Sequence, residues 1–526
     1  MRLKKLLAAY IEINAAHDCE VNDLTLNTQQ AQIGNLFFAV PGAQSDGRAY
    51  LLQAARQKVC AIVCEAQGIE AFLPQIKRCP CPVYAIDDLS NKLGHLASQF
   101  YGTLASPLSV IGVTGTNGKT TCAHLLAQAL HHLGQPCGII GTLGYGLYPK
   151  PWFKGNLTTP NPIALHQQLA QLKALGAQTV VMEVSSHALS QQRVAGMVFD
   201  SALFTNLSEE HLDYHGTVAN YRQAKQQLFA WPTLKRAVLN ADDPMAGRYA
   251  QVLCHKATPI FYTTQSTLAR QFAAYAHLQV KQASFNDGLL AELHSSWGKG
   301  TLRSKLMGAF NLQNLLCVLA ELCGQGYPWF KAIAALAKAH APTGRMQKLG
   351  GGKMPIIIID YAHTPDALAQ ALIAARQMTQ RRLWCVFGCG GDRDRGKRAL
   401  MGEVAMQYAD QVVITQDNPR HEPPQQIMAQ IIQGISTQDH SRLHLELNRM
   451  QAINYAVNRA LVYDVVLIAG KGHENYQLVG NQSLPFSDIG HVKKLLGNVA
   501  HEFSNHRRAA PSATLGGQSV DSSDFH

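Results

Sequence analysis

The segment from Ser109 to Gly134 constrains the fold more than any other part of the chain. An apolar run that includes VIGV (110–113) leads into a glycine-rich stretch, GVTGTNGKTT (112–121), and then into the helical pattern CAHLLAQALHHLG (122–134). A strand, a glycine-rich loop and a helix in this order are the context that a phosphate-binding loop requires. The segment therefore predicts an α/β domain.

This loop also predicts a nucleoside triphosphate as ligand. Glycines let backbone N–H groups converge on phosphate oxygens, and the helix N-terminus adds partial positive charge. Lys119 can reach the β and γ phosphates, and the Thr120 hydroxyl can bind Mg²⁺. The spacing departs from the strict GxxxxGK[ST] pattern, because Val113 stands five positions before Gly118. The alternative is a glycine-rich turn without a ligand, which the coincidence of strand, glycines, Lys-Thr and helix disfavours.

A chain of 526 residues is too long for one core, since single hydrophobic cores stop growing near ~250–300 residues. Apolar strand-like runs alternate with helical segments, which predicts parallel sheets covered on both faces. We expect an α/β fold with three domains: a smaller α/β N-terminal domain (1–105), a central nucleotide-binding domain with a parallel sheet like that of phosphate-loop ATPases (106–343), and a C-terminal domain with a Rossmann-like sheet (344–498). Residues 499–526 are polar and unpatterned, which predicts a disordered tail. The glycines of 350–352 indicate a hinge or linker edge.

The composition narrows the class of ligand and the compartment. The net charge of +11 suggests polyanionic ligands: nucleic acid, nucleotides or a phosphorylated substrate. No apolar run approaches the ~18–20 residues of a membrane helix. The apolar stretch after MRLKK ends at Glu12, which favours an amphipathic helix over a signal peptide. The 12 cysteines are scattered and are expected to be reduced thiols. We therefore expect a cytoplasmic protein.

Two segments offer side chains suited to a metal. The run TVVMEV (179–184) places Glu183 at the end of a buried-type strand, where a Mg²⁺ carboxylate belongs if that strand lies beside the phosphate-loop strand. The run TNLSEEHLDYH (205–215) contains His211, but Ser208 as an N-cap with acids in the first turn accounts for it equally well. The residues alone leave a metal role for His211 open.

Together, the motifs of this chain resemble those of the Mur ligase family, ATP-dependent amide ligases of peptidoglycan precursor synthesis. The resemblance covers residues 24–495. The motifs that carry it stand in the family's order: GVTGTNGKTT, MEVSSH, FTNLSEEHLDYHG, YRQAKQQLF, LMGAFNLQNLL, GRM and DYAHTPD. The later motifs GCGGDRDRGKR, DNPR and AGKGHE are similar to those of the members that add meso-diaminopimelate.

The resemblance implies a reaction and a catalytic set. ATP would phosphorylate the free D-Glu side-chain carboxylate of UDP-N-acetylmuramoyl-L-Ala-D-Glu, and an amine of meso-diaminopimelate would attack the acyl phosphate. Lys119 would hold the triphosphate. Lys225 matches the family lysine that is carbamylated, and as N6-carboxylysine it would be an anionic ligand. The implied catalytic residues are Lys119, Glu183, His211 and Lys225, and the implied Mg²⁺ ligands are Thr120, Glu183, His211 and Lys225.

For ATP, the resemblance implies residues from two domains. The phosphate loop contributes Gly115, Thr116, Asn117, Gly118, Lys119, Thr120 and Thr121. The remaining ATP residues are Asn311 and Asn314 in the central domain and Arg345 and Asp360 in the C-terminal domain.

The UDP-sugar dipeptide is assigned to two regions by the same resemblance. The UDP side involves Leu26, Thr28, Ala43, Gln44 and Ser45. The muramoyl dipeptide side involves Thr158, Thr159, Ser185, Gln191 and Arg193. The chain has LNTQ (26–29) where the family usually has LDSR, and Leu157 where an asparagine is common. These departures leave the details of uridine binding open.

The amino acid to be added is assigned to the C-terminal domain, with Arg393, Asp417, Asn418, Pro419, Arg420, Gly470 and Glu474 as implied ligands. The DNPR motif (417–420) follows the apolar strand QVVIT, so it lies where ligands of open α/β sheets bind. Diaminopimelate differs from lysine by a distal carboxylate, which a guanidinium such as that of Arg420 can clasp bidentately. The resemblance places Glu474 at the distal ammonium. The alternative is that DNPR is only an Asx-Pro turn.

Three other functions stay open at this point. They are an L-lysine-adding ligase of the same family, a folylpolyglutamate synthase-like ligase, and a phosphate-loop ATPase acting on nucleic acid. DNPR argues against the first and the UDP-side residues against the second. The basic charge supports the third, but there is no basic stripe interleaved with aromatic residues. We expect the two substrates as partners, no nucleic acid, no membrane insertion and a monomer.

Overall fold

The computed structural model describes residues 1–42, 45–103, 108–155, 157–208, 210–285 and 288–497. The chain forms two compact units, one spanning Met1–Pro342 and one beginning at Thr343. The fold is α/β with three domains, as the sequence predicts, although the predicted boundaries between them stay predictions. The predicted tail at 499–526 lies outside the described residues. Short 3₁₀ helices occur at Ala15–His17, Gly47–Tyr50, Ile69–Phe72, Arg270–Phe272 and Thr437–Arg442.

The N-terminal sheet is parallel and is covered on both faces. In the described part of the chain its order is β1-β2-β3-β4. The strands are β1 (Leu24–Thr25), β2 (Leu36–Ala39), β3 (Ala61–Glu65) and β4 (Val83–Ile86), and the helices are α1 (Leu3–Leu7), α2 (Leu51–Arg56), α3 (Leu73–Ile76) and α4 (Leu89–Tyr101). The three leucines of α1 are fully buried while its lysines are exposed, so the predicted amphipathic helix is present but short.

The central sheet has a parallel core with antiparallel strands at both ends. Over the described residues its order is β15-β14-β13-β12-β11-β10-β5-β9-β6-β7-β8. Its strands are β5 (Ser109–Thr114), β6 (Cys137–Gly141), β7 (Gly144–Leu147), β8 (Trp152–Phe153), β9 (Thr179–Glu183), β10 (Ser201–Phe204), β11 (Arg236–Asn240), β12 (Thr258–Thr263), β13 (Ala276–Ser284), β14 (Leu289–Ser295) and β15 (Gly298–Ser304). The stretch from β13 to β6 is parallel throughout, and β7, β8, β14 and β15 pair antiparallel. The parallel sheet predicted for this domain is therefore confirmed in the core that carries the phosphate loop, and the antiparallel strands at its two ends are additional.

Helices cover both faces of this sheet. They are α5 (Lys119–His132), α6 (Pro162–Ala174), α7 (Ser186–Ser190), α8 (Leu212–His215), α9 (Val218–Phe229), α10 (Met245–Gln251), α11 (Ala309–Gly324) and α12 (Trp329–Ala337). One core lies between the sheet and helices α5 and α11, and the other includes residues of α6, α9 and α10. Because both faces are buried, strands such as β9 are apolar along their whole length up to Glu183.

The second unit contains a Rossmann-like sheet with the order β16-β17-β21-β18-β19-β20 among its described residues. The strands are β16 (Gln347–Gly350), β17 (Ile356–Asp360), β18 (Leu383–Phe387), β19 (Gln411–Ile414), β20 (Leu443–Leu445), β21 (Val465–Ala469), β22 (Tyr476–Val479) and β23 (Gln482–Pro485), and the helices are α13 (Pro365–Arg376), α14 (Lys397–Tyr408), α15 (Pro424–Ile432) and α16 (Arg449–Arg459). Only the β16–β17 pair of this sheet is antiparallel, and β22 and β23 form a separate hairpin.

The glycines at 350–352 do not form a linker. All of them have φ between 69° and 93°, and they make the reversal between the antiparallel strands β16 and β17. Glycine adopts this left-handed backbone without steric cost, so a tight hairpin accounts for the run. The expectation of a hinge at this point was wrong.

Candidate active site

The phosphate loop connects β5 to α5 in the way that its sequence predicts. β5 ends at Thr114, and α5 begins at Lys119 after Gly118, which has a φ of 88°. A Cβ on Gly115 would collide with the Thr205 hydroxyl, and one on Gly118 would collide with the Asn314 side-chain oxygen. Both positions therefore require glycine for close packing as well as for backbone conformation.

The central side chains of the loop are held by the protein itself. The Lys119 ammonium folds back over the loop and donates to the carbonyl oxygens of Gly115 and Thr116, at 2.9 and 2.8 Å. The Thr116 backbone N–H donates to the Asn206 carbonyl at 2.8 Å, and the Asn117 N–H donates to the Asn206 side-chain oxygen at 2.9 Å. The Thr116 hydroxyl is bonded to Tyr221 and Ser208. These contacts shape the loop, and the roles of Thr116, Asn117 and Thr121 as ATP ligands stay predictions.

Glu183 lies beside the phosphate loop, as its place at a strand end predicts. It pairs in register with Val113 of β5 and is 1% exposed. Its Oε2 accepts a hydrogen bond from the Thr120 hydroxyl at 2.9 Å. An oxygen side chain from the start of α5 and one from the end of β9 thus meet next to the loop, and oxygen is the donor type that Mg²⁺ prefers.

Sequence reasoning missed Thr142, which orients this carboxylate. The Thr142 backbone N–H donates to Glu183 Oε1 at 2.8 Å, and its hydroxyl donates to Oε2 at 3.1 Å. The same hydroxyl lies 3.1 Å from that of Thr158. A threonine that follows the apolar strand CGIIG, at the same sheet edge as the phosphate loop, was the available signal.

Lys225 is a buried lysine against the phosphate loop. It lies on α9, is 1% exposed, and donates to the Gly115 carbonyl at 2.7 Å. Its ammonium nitrogen is 4.6 Å from the centre of the Tyr221 ring. Burial, aided by the positive charge of Lys119 and opposed by Glu210, lowers the pKa of Lys225 well below its usual range. The Lys225 amine therefore loses its proton more readily than that of an exposed lysine.

His211 precedes α8 and is more exposed than the other predicted catalytic side chains. Its side chain is 43% exposed, with Nε2 at 3.5 Å from the Glu210 carboxylate. Its ring packs edge-on against His187, 4.7 Å away between centroids. Burial, with His211 and His215 nearby, lowers the pKa of His187 to about 4. His187 belongs to this cluster, although the sequence analysis gave it no role.

The side chains predicted to hold the muramoyl dipeptide come together beside Glu183. The Thr159 hydroxyl donates to the Glu183 carbonyl at 2.8 Å and lies 3.3 Å from the Ser185 hydroxyl. Arg193 donates to the Gln191 side chain through Nε at 2.9 Å and to the Thr159 carbonyl at 3.1 Å. Thr158 reaches this group through Thr142.

On the UDP side, Leu26 and Thr28 follow β1 and Ser45 follows β2. Since β1 and β2 are parallel neighbours, these segments lie at the same edge of the N-terminal sheet. Ala43 and Gln44 lie outside the described residues.

The predicted central-domain asparagines lie behind the phosphate loop. Asn314 donates to the Asn311 side-chain oxygen at 3.1 Å, and Asn311 donates to the Met307 carbonyl at 2.8 Å. Both are on α11 and are nearly fully buried. The contact of Asn314 with Gly118 shows that α11 supports the loop.

In the second unit, Asp360 ends β17 and is fixed by backbone donors. Its Oδ2 accepts from the Met346 N–H at 2.7 Å, and its Oδ1 accepts from the Ala362 N–H at 2.8 Å. Burial raises the pKa of Asp360, and the positive charge of Arg345 opposes this. The Arg345 guanidinium stacks over the Tyr361 ring at 4.4 Å. Arg345 and Asp360 are thus neighbours, and their roles as ATP ligands stay predictions.

The residues predicted to bind the added amino acid lie on three loops of the second unit. These loops follow β18, β19 and β21, which are adjacent parallel strands. Asn418 donates to Glu474 Oε2 at 2.9 Å, which joins two of the loops. A Cβ on Gly470 would lie 2.9 Å from Asp417 Oδ2, so this position also requires close approach.

Arg420 sits in a left-handed backbone conformation, with φ of 50°. Its N–H donates to the Leu478 carbonyl at 3.1 Å and its carbonyl accepts from Gly480 at 2.7 Å, which fix this conformation. The Arg420 side chain donates to the Gly391 carbonyl at 2.7 Å. Burial and the nearby Arg393 charge lower the pKa of Arg420. Two guanidinium groups near each other form a place for a carboxylate, which a simple turn would not need.

Two charged contacts in this region were missed by sequence reasoning. Arg398 is fully buried and binds the Glu422 carboxylate with both terminal nitrogens, each at 2.9 Å. Glu422 also accepts from the Asp392 N–H at 2.6 Å, so the pair ties the loop after β18 to the loop after β19. Lys471 is the second such residue, and it lies between Asn418 and Glu474.

Residues that could hold a metal are therefore spread around the phosphate loop. Within the described ranges there is no ready-made group of at least three His, Cys, Asp or Glu side chains arranged for a metal ion. The twelve cysteines are all free. Among the helices that the structure describes, none has the length and apolar character needed to cross a membrane.

Comparison with known proteins places the chain among characterised relatives. Three family profiles match: "Mur ligase family, catalytic domain" over residues 20–101, "Mur ligase middle domain" over 113–322, and "Mur ligase, glutamate ligase domain" over 344–472. The chain is 44% identical to the UDP-N-acetylmuramoyl-L-alanyl-D-glutamate–2,6-diaminopimelate ligase of Pseudomonas aeruginosa, over 92% of this chain and 96% of that one. It is 43% identical to the ligase of the same name from Coxiella burnetii, over 91% and 96%.

Solved structures agree with this. A UDP-N-acetylmuramoyl-L-alanyl-D-glutamate–2,6-diaminopimelate ligase matches with a TM-score of 0.65 and 32% identity, covering 95% of this chain and 99% of that one. A MurF ligase from Thermotoga maritima in complex with ADP matches with a TM-score of 0.60 and 17% identity, over 87% and 95%, which supports the fold alone.

Proposed function

Because the chain belongs to the Mur ligase family, we propose that it is the ATP-dependent ligase that joins meso-diaminopimelate to UDP-N-acetylmuramoyl-L-Ala-D-Glu in peptidoglycan precursor synthesis. The names of the relatives that match nearly the whole chain support this substrate pair. The observation that carries the proposal is the three-loop cluster of the second unit. It offers Arg420 and Arg393 to a carboxylate and Glu474 to an ammonium, which are the two charged groups at the distal end of diaminopimelate.

The reaction proceeds in two steps. The side-chain carboxylate of D-Glu attacks the γ-phosphorus of ATP, the bond to the β-phosphate oxygen breaks, and ADP leaves. The amine of diaminopimelate then attacks the acyl carbon, loses a proton and expels phosphate. Both steps bring anions together, so cationic groups and positioning matter more than acid–base catalysis. Lys119 supplies such a cation at the start of α5. To do so, its ammonium leaves the carbonyl oxygens of Gly115 and Thr116 and binds phosphate oxygens instead.

Thr120 and Glu183 would hold Mg²⁺, since their oxygens are 2.9 Å apart and match its preference for oxygen ligands. The metal, when bound, would neutralise phosphate charge. His211 and Lys225 are the further ligands in this proposal. The lowered pKa of Lys225 supports its carbamylation, because the neutral amine is the form that adds CO₂. Thr142 keeps the Glu183 carboxylate oriented.

Thr158, Thr159, Ser185, Gln191 and Arg193 are proposed to bind the muramoyl dipeptide. Their clustering next to Glu183 supports this, since the carboxylate to be phosphorylated must lie near the metal. We assign Leu26, Thr28 and Ser45 to the UDP end, and Arg345 and Asp360 to the nucleotide. The reaction takes place in the cytoplasm in this proposal, where ATP is available and thiols stay reduced. A monomer stays a prediction.

The three alternatives are less well supported. The relatives' names specify 2,6-diaminopimelate, not lysine. A folylpolyglutamate synthase of Mycobacterium tuberculosis shares the fold at 17% identity over only 72% of this chain. The chain's membership of the Mur ligase family argues against the third alternative, a phosphate-loop ATPase that acts on nucleic acid.

The test is to incubate the protein with UDP-N-acetylmuramoyl-L-Ala-D-Glu, ATP and an equimolar mixture of meso-diaminopimelate and L-lysine, and to identify the product by mass spectrometry. We expect the diaminopimelate adduct and a matching amount of ADP. Omission of the UDP substrate, and its replacement by DNA or RNA, are the controls. A lysine adduct, or ATP hydrolysis driven by nucleic acid alone, would overturn the proposal.

A further inference from the structure

Lys471 is a fully buried cation inside the three-loop cluster. It is 0% exposed and follows β21. Its ammonium donates to Glu474 Oε2 at 2.9 Å and to the Asn418 side-chain oxygen at 3.1 Å, and it lies 3.6 Å from Asp417 Oδ1. It thus contacts side chains from two of the loops that the proposed function assigns to diaminopimelate.

These contacts fix the orientation of the neighbouring polar groups. Because Lys471 donates to the Asn418 oxygen, the Asn418 amide nitrogen is turned toward Glu474. Glu474 Oε2 then accepts two hydrogen bonds, whereas Oε1 has no hydrogen-bond partner among the residues described. That oxygen is available to a substrate ammonium.

The cluster has a distinctive balance of charge. Asp417 and Glu474 contribute two carboxylates, and Lys471, Arg393 and Arg420 contribute three cations. The adjacent Arg449 and Asp488 form a bidentate pair that neutralises itself, at 2.8 and 2.7 Å. Asp392, the other acid near Arg420, is exposed and pairs with His421. Among the five groups named first, Lys471 leaves one excess positive charge, and without it the charges cancel.

On the basis of the proposed function, we infer that Lys471 is a specificity-determining residue, which balances Asp417 and Glu474 so that the site accepts the zwitterionic end of diaminopimelate and rejects the bare ammonium of lysine. The distal end of diaminopimelate carries an ammonium and a carboxylate and is neutral. The distal end of lysine carries only the ammonium. A site with excess positive charge opposes the second more than the first, which is discrimination by an unfavourable contact with the wrong ligand.

Replacing Lys471 should weaken this preference. In Lys471→Met the carboxylates of Asp417 and Glu474 lose their nearest cation. The excess positive charge that opposes the lysine ammonium is then gone, whereas the neutral distal end of diaminopimelate gains less from its removal. The ratio of kcat/KM for diaminopimelate to that for lysine should fall by about tenfold or more. A purely structural lysine would lower both values together and leave the ratio unchanged.

The experiment measures both kcat/KM values in the parent, in Lys471→Met and in the control Lys493→Met, which removes an exposed lysine from the same unit. We expect the control to keep the parent ratio. The double variant Lys471→Met/Glu474→Gln restores the excess positive charge. It should bind both amino acids weakly but return the ratio to within about threefold of the parent.

Each outcome bears on a different statement. If the parent makes no diaminopimelate adduct, the proposed function fails. If the parent makes the adduct but Lys471→Met keeps the parent ratio, the inference about Lys471 fails. If Lys471→Met does not fold, the double variant decides, because it removes the Glu474 carboxylate together with its buried partner: a ratio near that of the parent supports the inference, and a tenfold lower ratio overturns it.

Discussion

The buried amine of Lys225 gives the sharpest test of the central site. Its nitrogen bonds to the Gly115 carbonyl at 2.7 Å, and burial beside Lys119 keeps its pKa well below the usual range. If the amine carries a carboxylate from CO₂, the side chain places an anion at the metal. Lys225→Ala and Lys225→Met both remove that group, but only the first removes the volume.

The two variants should lose activity alike and differ in stability. Loss of one preorganised group beside a transferring phosphate costs about 3–4 kcal/mol, so kcat should fall on the order of 10²–10³-fold in both. Truncation to alanine also removes the buried Cγ, Cδ and Cε, each worth about 0.8 kcal/mol, or about 2.4 kcal/mol of the free energy of unfolding. Lys225→Met keeps these contacts and buries no amine, so its urea midpoint should match or exceed that of the parent.

The assay is phosphate release with saturating substrates, with and without short carboxylic acids such as formate, acetate and propionate. Lys225→Ala has space for such an acid beside Gly115, so we expect partial recovery there and little in Lys225→Met. Removal of CO₂ and bicarbonate should lower the activity of the parent and leave both variants unaffected. If Lys225→Met turns over within about threefold of the parent, or if CO₂ depletion changes nothing, the carbamate does not exist.

Three further changes test the phosphate loop, the arginine at the amino-acid site and the pair that joins the loops. Lys119→Ala should lower kcat by about 10²-fold or more with an unchanged circular dichroism spectrum, because a charge-assisted contact to the transferring phosphate is lost; a rate within about threefold of the parent contradicts this. Arg420→Ala should lower kcat/KM for diaminopimelate by about 10²-fold, because its distal carboxylate loses a partner, and should not lower that for lysine, which has no such carboxylate; an unchanged ratio argues against the assignment. Glu422→Gln should lower the melting temperature at neutral pH. Hydrogen bonds from Arg398 lower the pKa of Glu422 from 4.5 to about 2, so its contribution is present above pH 4.5 and is lost as the pH falls through about 2. The difference in melting temperature should therefore shrink between these pH values, and a constant difference would contradict the role of the charge.

Much of the fold follows from apolar runs. The run TVVMEV at 179–184, for example, forms β9 (Thr179–Glu183). Apolar composition does not fix where a strand starts: in KVCAIVC (58–64) the strand begins only at Ala61, since Lys58 takes a left-handed conformation with φ of 58° and closes the preceding turn. A strand buried on both faces can be recognised from its continuous apolar composition, whereas the position of a turn residue cannot.

The antiparallel parts of the sheets were harder to predict. The hairpins of β13, β14 and β15 alternate apolar and polar residues and expose one face, so they do not resemble the continuous apolar strands of the parallel core. The turn formed by the glycines at 350–352 was hard to predict for a similar reason, because a tight turn and a linker have similar amino-acid composition. Whether such a segment is a turn or a linker depends on how the flanking strands pair, and the local sequence does not contain that information.

For the site, the sequence predicted residues that touch ligands but missed the residues that keep these side chains in position. Glu183 was expected at a strand end, but Thr142, which bonds both of its oxygens, was not. Arg420 was expected in the loop after β19, but the Arg398–Glu422 pair that ties this loop to its neighbour was not. Supporting residues have no motif of their own, because their spacing is set by how strands pack against each other.

Lys225 and Lys471 show why residue type alone does not give function. Both are buried lysines close to a proposed ligand site. Lys225 lies 110 residues from its partner Gly115, and burial together with the nearby charge of Lys119 lowers its pKa. Lys471 lies 53 residues from Asn418 and has two carboxylates around it. The first is therefore suited to the proposed reaction with CO₂, and the second to hold two acidic side chains in place. The partners that create this difference are distant in sequence, so residue type and local sequence do not reveal it.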